Sequence, residues 1–228
     1  MRLIVTGGGT GGHLFPGIAV ATGMQQRLPG SQVMFIGTSR RLDRDALVGF
    51  PFAKESIHCM GLKGMGLWAR LRSMLQLPGA VVEASGILKK FGPDLVLGVG
   101  GYVTGPVLLA AKMKKIPTCI HEQNSVPGLA NRLAGKIADK VFISLPVRSS
   151  FPDKKTVQTG NPVRSDILKA AEARQKRQQG RKTILVLGGS QGAHRVNTLM
   201  LEAMEQVSVN LDREVQIIHQ TGKTDLDM

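Results

Sequence analysis

Two stretches of this chain run side by side without a gap. Ile4-Val5-Thr6-Gly7-Gly8-Gly9-Thr10-Gly11-Gly12-His13 aligns with Leu185-Val186-Leu187-Gly188-Gly189-Ser190-Gln191-Gly192-Ala193-His194. Each is a short apolar run that breaks into glycines and then enters a helical pattern. A strand, a bare loop and a helix start leave N–H groups pointing outward at the positive end of a helix dipole, an arrangement that holds phosphate. Two such units predict two nucleotide-fold halves serving one anionic reaction centre. Between the copies, strands are expected at 3–6, 32–36, 53–57, 95–99, 118–121, 140–143 and 155–158, and helices at 15–28, 67–91, 106–114 and 127–138. This alternation predicts a mainly parallel α/β sheet covered on both faces, with ligands beyond the carboxyl ends of its strands.

Gly160-Asn161-Pro162-Val163-Arg164 closes the first alternating block, and a basic stretch from Arg174 to Lys182 follows. A strand is expected at 183–187, a helix near 196–207 and a strand near 215–219. The expected organisation is a Rossmann-like domain over 1–160, a linker over 161–182, and the start of a second Rossmann-like domain, incomplete, over 183–228.

The formal net charge of +14 favours acidic partners: nucleic acid, an anionic membrane surface or phosphorylated substrates. Aromatics make up only 4%, too few for extensive base stacking, so no nucleic-acid partner is expected. Cys59 and Cys119 stand alone, which suits reduced buried thiols better than a disulfide or a metal site. The start of the chain lacks a signal-peptide pattern, and no run approaches the ~20 apolar residues that span a bilayer. A soluble or peripheral protein on the cytoplasmic side is expected.

Gly7, Gly9 and Gly12 match the dinucleotide fingerprint G-x-G-x-x-G. The acidic residue that would hold the ribose is missing, since the second strand runs into Ile36-Gly37-Thr38-Ser39-Arg40. NAD is therefore disfavoured, while Arg40 and Arg41 leave NADP open. His13 follows the loop at a helix start, where the dipole disfavours the imidazolium. It is either a neutral base or a capping and packing residue. Gly98 to Pro106 forms a further strand-loop-helix cluster that either contacts phosphate or permits close packing. His121-Glu122-Gln123-Asn124 places four hydrogen-bonding side chains at a strand end and reads as the polar wall of a site. It is no zinc motif, because position 125 is Ser125. Met60 to Arg72 mixes cations with large apolar residues around the single tryptophan, Trp68. It suits either a membrane interface or a helix packed on the core. G-x-S-x-G and Walker A patterns are absent, which argues against a serine hydrolase and a P-loop enzyme.

Five blocks occur in family order: Gly8-Gly9-Thr10-Gly11-Gly12-His13 with Pro16, Gly100 to Pro106, His121 to Asn124, Gly160 to Arg164, and Gly188 to Ala193. On these the chain resembles the MurG family, the peptidoglycan N-acetylglucosaminyltransferases. The resemblance implies a GT-B fold of two Rossmann-like domains, with the second one truncated here. It implies inverting sugar transfer without a metal or other cofactor, from UDP-N-acetylglucosamine to lipid I, giving lipid II. By the same resemblance Thr10, Gly11, Gly12, Asn124, Arg164 and Ser190 would contact the UDP-sugar. Gly8, Gly9, Gly101, Tyr102 and Thr104 would face the acceptor diphosphate. His13 and Glu122 are the catalytic candidates, with His13 preferred as base because its ordinary pKa lies near working pH. Leu67, Trp68, Arg70, Leu71 and Arg72 would touch the anionic inner membrane from its cytoplasmic face. Other cell-wall synthesis proteins are conceivable partners. Because the family's donor domain continues well past the Gly188 loop, little transferase activity is expected of these 228 residues alone. A related enzyme with another lipid acceptor, or a non-catalytic module binding lipid diphosphate, is the alternative.

Overall fold

The computed structural model describes residues 1–8, 11–38, 47–59, 67–147, 151–172, 182–189, 192–207 and 215–226; for Gly11, residues 67–75 and Val207 it describes the backbone only. The chain divides into two compact units, Met1–Ala171 and Glu172–Met228.

The first unit is built on seven parallel strands: β1 (Arg2–Gly7), β2 (Gln32–Gly37), β3 (Ala53–Ser56), β4 (Leu95–Gly100), β5 (Thr118–Glu122), β6 (Lys140–Ile143) and β7 (Thr156–Gln158). Their order is β3-β2-β1-β4-β5-β6-β7. The chain winds outward from β1 to β3 and then returns to the other side of β1 with β4. The order therefore reverses between β1 and β4, where open α/β sheets leave a crevice at their carboxyl edge. The helices are α1 (Gly11–Arg27), α2 (Leu67–Phe91), α3 (Thr104–Met113), α4 (Leu129–Ile137) and α5 (Ser165–Glu172).

Both faces of the sheet are buried, and the strand period of two assigns each residue its side. Leu3 and Val5 of β1 lie with Val33, Phe35, Leu97 and Val99 against Leu14, Ile18 and Ala21 of α1. Ile4 points the other way, with Ile36, Val96, Ile120 and Val141, against α2, α3 and α4. Ala80, Ala84 and Leu88 recur at helical spacing on α2, and the two alanines are small enough for close approach to the sheet. A Cβ on Gly17 would sit 2.8 Å from Val5 and 3.4 Å from Val99, so α1 rests directly on the β1–β4 pair.

Every strand and helix expected from the sequence is present, α1 starts earlier than expected, and one helix is additional. The helix α1 begins at Gly11, four residues before the expected start, so Gly11 and Gly12 form its first turn rather than a loop. Pro16 sits inside that helix and forfeits one backbone hydrogen bond. The helix α5 lies within the stretch read as linker. It buries none of its side chains, so no apolar stripe marks it, although Ser165-Asp166 is a recognisable start signal.

The second unit is a βαβ turn: β8 (Lys182–Leu187), α6 (His194–Val207) and β9 (Val215–Gln220), with β8 parallel to β9. Buried Asn197 pins α6 to the turn after β9. Its Nδ2 donates to the Thr221 carbonyl and to Asp225 Oδ2, both at 2.8 Å, and its Oδ1 lies 2.9 Å from His219 Nε2. Leu185, Leu187 and Ile218 remain at least half exposed, at 59%, 60% and 50%.

Candidate functional site

The site grows from the loops at the sheet's order reversal. Because β1 and β4 are neighbours, the loops that follow them meet. The Gly8 N–H donates to the Gly100 carbonyl at 3.3 Å. Gly100 and Gly101 adopt φ of +109° and +85°, a region that strains other residues. A Cβ on Gly101 would overlap the Gly8 carbonyl, and one on Gly100 would lie 2.8 Å from His13 Nδ1. Two glycines thus let the β4 loop lie against both the β1 loop and His13. Thr104, fully buried at the start of α3, seals the junction: its Oγ1 donates toward Gly100 O at 3.0 Å and Thr6 O at 3.3 Å.

His13 is half-buried in the first turn of α1, with Nδ1 3.3 Å from Gln123 Oε1. Gln123, just past β5, donates from Nε2 to the Val99 carbonyl at 3.1 Å; the same Nε2 lies 3.1 Å from His121 Nδ1. His121 is buried, and its Nε2 lies 3.2 Å from the Gly160 carbonyl and 3.3 Å from Ser144 Oγ. Desolvation holds its imidazole below the ordinary range, keeping the ring neutral.

Glu122 is 1% exposed, and four N–H groups surround its carboxylate. Oε1 accepts from Asn124 N at 2.9 Å and Asn124 Nδ2 at 3.1 Å; Oε2 accepts from Asn131 Nδ2 at 2.9 Å and Gly128 N at 3.3 Å. A buried carboxylate demands such partners, and here they fasten the turn after β5 to α4. Asn124 is exposed, with its amide held by Glu122. Arg164 stacks over Phe15 of α1 at 4.7 Å and reaches Asp166 at 3.6 Å.

Of the residues read from the sequence, Gly8, Gly12, His13, Gly101, Tyr102, Thr104, Glu122 and Asn124 lie in or beside the loops that follow β1, β4 and β5 at one edge of the first unit's sheet, and Arg164 lies beside α1. Gly11 opens α1. Gly9, Thr10 and Ser190 lie outside the described residues, as do the side chains of Leu67, Trp68, Arg70, Leu71 and Arg72, whose backbone starts α2. Sequence reasoning missed the partnership of Gln123 with His13 and the support from Asn131 and Ser144. Asn131 sits within the α4 pattern and carries no signal of its own. Among the described residues no cluster of three His, Cys, Asp or Glu side chains could hold a metal, and no helix is long and apolar enough to cross a membrane.

Residues 3–143 match the glycosyltransferase family 28 N-terminal domain, and residues 183–228 match the glycosyltransferase family 28 C-terminal domain. A protein of Desulfotalea psychrophila named UDP-N-acetylglucosamine-N-acetylmuramyl-(pentapeptide) pyrophosphoryl-undecaprenol N-acetylglucosamine transferase is 49% identical, over 99% of this chain and 61% of its own length. A protein of the same name from Geobacter sulfurreducens is 44% identical, over 100% of this chain and 63% of its own. The crystal structure of Acinetobacter baumannii MurG superposes with a TM-score of 0.72 at 30% identity, covering 99% of this chain and 60% of that one. A UDP-GlcNAc 2-epimerase from Neisseria meningitidis shares the fold, with a TM-score of 0.64 at 18% identity, covering 98% of this chain and 67% of that one. The chain thus spans about six-tenths of the length of its curated relatives.

Proposed function

The chain belongs to glycosyltransferase family 28, and on that premise we propose that it carries the acceptor half of an enzyme that moves N-acetylglucosamine from UDP-N-acetylglucosamine to lipid I, giving lipid II. The observation that carries this reading is His13, held by Gln123 beside the paired glycine loops at the sheet's order reversal. The name of the 49% identical relative supplies the substrates.

In this reading the His13 imidazole takes the proton of the acceptor hydroxyl. The oxygen attacks the anomeric carbon of the donor sugar with inversion, the C–O bond to the diphosphate breaks, and UDP leaves with the bonding pair. The charge to be stabilised is anionic at both substrates. Main-chain N–H groups of the glycine loops after β1 and β4, with the dipoles of the helices that follow them, serve the acceptor diphosphate. Within the first unit, Arg164 and Asn124 serve the donor. Between the two carboxyl-edge candidates, the geometry favours His13 as base, because four donors already engage Glu122 and burial shuts it from the acceptor. Glu122 then acts by holding the turn that carries Gln123 and Asn124. The net charge of +14 and the cations interleaved with large apolar residues and Trp68 in the sequence from Met60 to Arg72 favour attachment to the cytoplasmic face of an anionic inner membrane.

Isothermal titration tests this directly. The 228-residue chain should bind a soluble short-prenyl lipid I analogue, and His13→Ala should keep that binding. Absence of heat with the analogue would sink the assignment of the acceptor half.

A further inference from the structure

We infer that Gln123 is a positioning residue that fixes which nitrogen of His13 carries the proton, leaving Nε2 bare to act as the base. The inference rests on the proposed transfer only in calling Nε2 the base; the proton's place follows from the hydrogen bonds.

The orientation of the Gln123 amide is set twice over. Val99 O is only an acceptor and lies 3.1 Å from Gln123 Nε2. With the amide reversed, two carbonyl oxygens would face each other there. His121 repeats the constraint. Its Nε2 faces the Gly160 carbonyl at 3.2 Å, so Nε2 carries the hydrogen. The ring is buried and neutral, so Nδ1 is a bare lone pair that requires a donor. Gln123 Nε2, at 3.1 Å, is that donor. Both neighbours therefore direct the NH2 side away from His13 and turn Oε1 toward it. Oε1 can only accept, so His13 Nδ1, 3.3 Å away, carries the proton. A neutral imidazole protonated on Nδ1 has its lone pair on Nε2.

The chain of donors has one direction: His13 to Gln123, Gln123 to His121, and His121 to the Gly160 carbonyl. Reversal at any link places two donors or two acceptors face to face. The last link lies in Gly160-Asn161, where the chain leaves β7 for α5, and Ser144 Oγ, which borders His121, also reaches Asn161 Oδ1 at 3.5 Å. The carboxylate that usually orients a catalytic histidine is replaced here by an amide, which selects the tautomer without adding charge.

The test is long-range proton–nitrogen NMR on the chain labelled with 15N-histidine at about pH 7.5, with His13 and His121 assigned through His13→Ala and His121→Gln. His13 should show a protonated Nδ1 and bare Nε2, and His121 the reverse. Gln123→Met should move His13 toward the averaged pattern of free histidine. A protonated Nε2 on His13 in the unsubstituted chain, or an unchanged His13 in folded Gln123→Met, overturns the inference. If Gln123→Met does not fold, the His13 and His121 patterns of the unsubstituted chain decide. The stated tautomer without binding of a lipid I analogue would defeat the proposed function alone; binding with the opposite tautomer would defeat this inference alone.

Discussion

At the residue scale the site is a set of polar groups that burial forces into fixed pairings. Asn131 is the clearest case. Its Nδ2 serves both Glu122 Oε2 and the His121 carbonyl, while its Oδ1 has no partner among the described residues. Removing the donor with Asn131→Ala leaves a buried carboxylate short of one hydrogen bond and should lower stability by about 1–3 kcal/mol in urea unfolding. Asn131→Asp places an acceptor against that carboxylate and should cost more than the alanine. His121 makes stability depend on pH. Its folded pKa lies below the ordinary histidine value, so the unfolded chain binds the proton more readily. Its contribution is complete above the unfolded value and is lost as pH falls below it toward the folded one. Thermal melts at about pH 7.5 and 5.5 should show a drop that is smaller in His121→Gln. Gly101→Ala forces a side chain into a left-handed backbone and onto the Gly8 carbonyl. It should lower stability by about 1–3 kcal/mol and weaken binding of a lipid I analogue in titration calorimetry. The chemistry of these residues was legible as a polar wall at 121–124. Their pairings were not, because they cross from β5 to α1 and α4.

At the element scale, periodicity decided most of the architecture. The strands alternate strictly enough that Leu3 and Val5 face α1 while Ile4 faces the other helices. Leu88 of α2, buried among Ile4 and Val96, illustrates the energetics: Leu88→Ala should destabilise the first unit by about 2–5 kcal/mol, measured by denaturant midpoint at constant slope. The exposed Leu77→Ala on the same helix should fall within about 0.5 kcal/mol of the parent. Two features escaped the pattern. The early start of α1 was hidden because Gly11 and Gly12 have low helix propensity, yet its packing on β1 and β4 extends the helix over them. The helix α5 was hidden because it buries no side chain and so shows no stripe.

At the scale of the whole molecule the two units differ in what each can sustain alone. Residues 1–171 close a seven-stranded sheet between layers of helix on both faces, and should melt cooperatively when expressed alone, with a midpoint within a few degrees of the full chain by circular dichroism. Residues 172–228 hold two strands and one described helix with half-exposed Leu185, Leu187 and Ile218, too small a core to fold unaided, and should show no cooperative transition. The sequence by itself determined the strand and helix series, the face each apolar residue takes and the places where glycine loops interrupt it, because those depend on local period and propensity. Only the tertiary structure decided that the loops after β1 and β4 lie in contact, that Glu122 is enclosed by four donors, and that Gln123 joins His13 to His121. Those facts depend on strand order, which brings residues about a hundred positions apart to one edge and which local pattern does not encode.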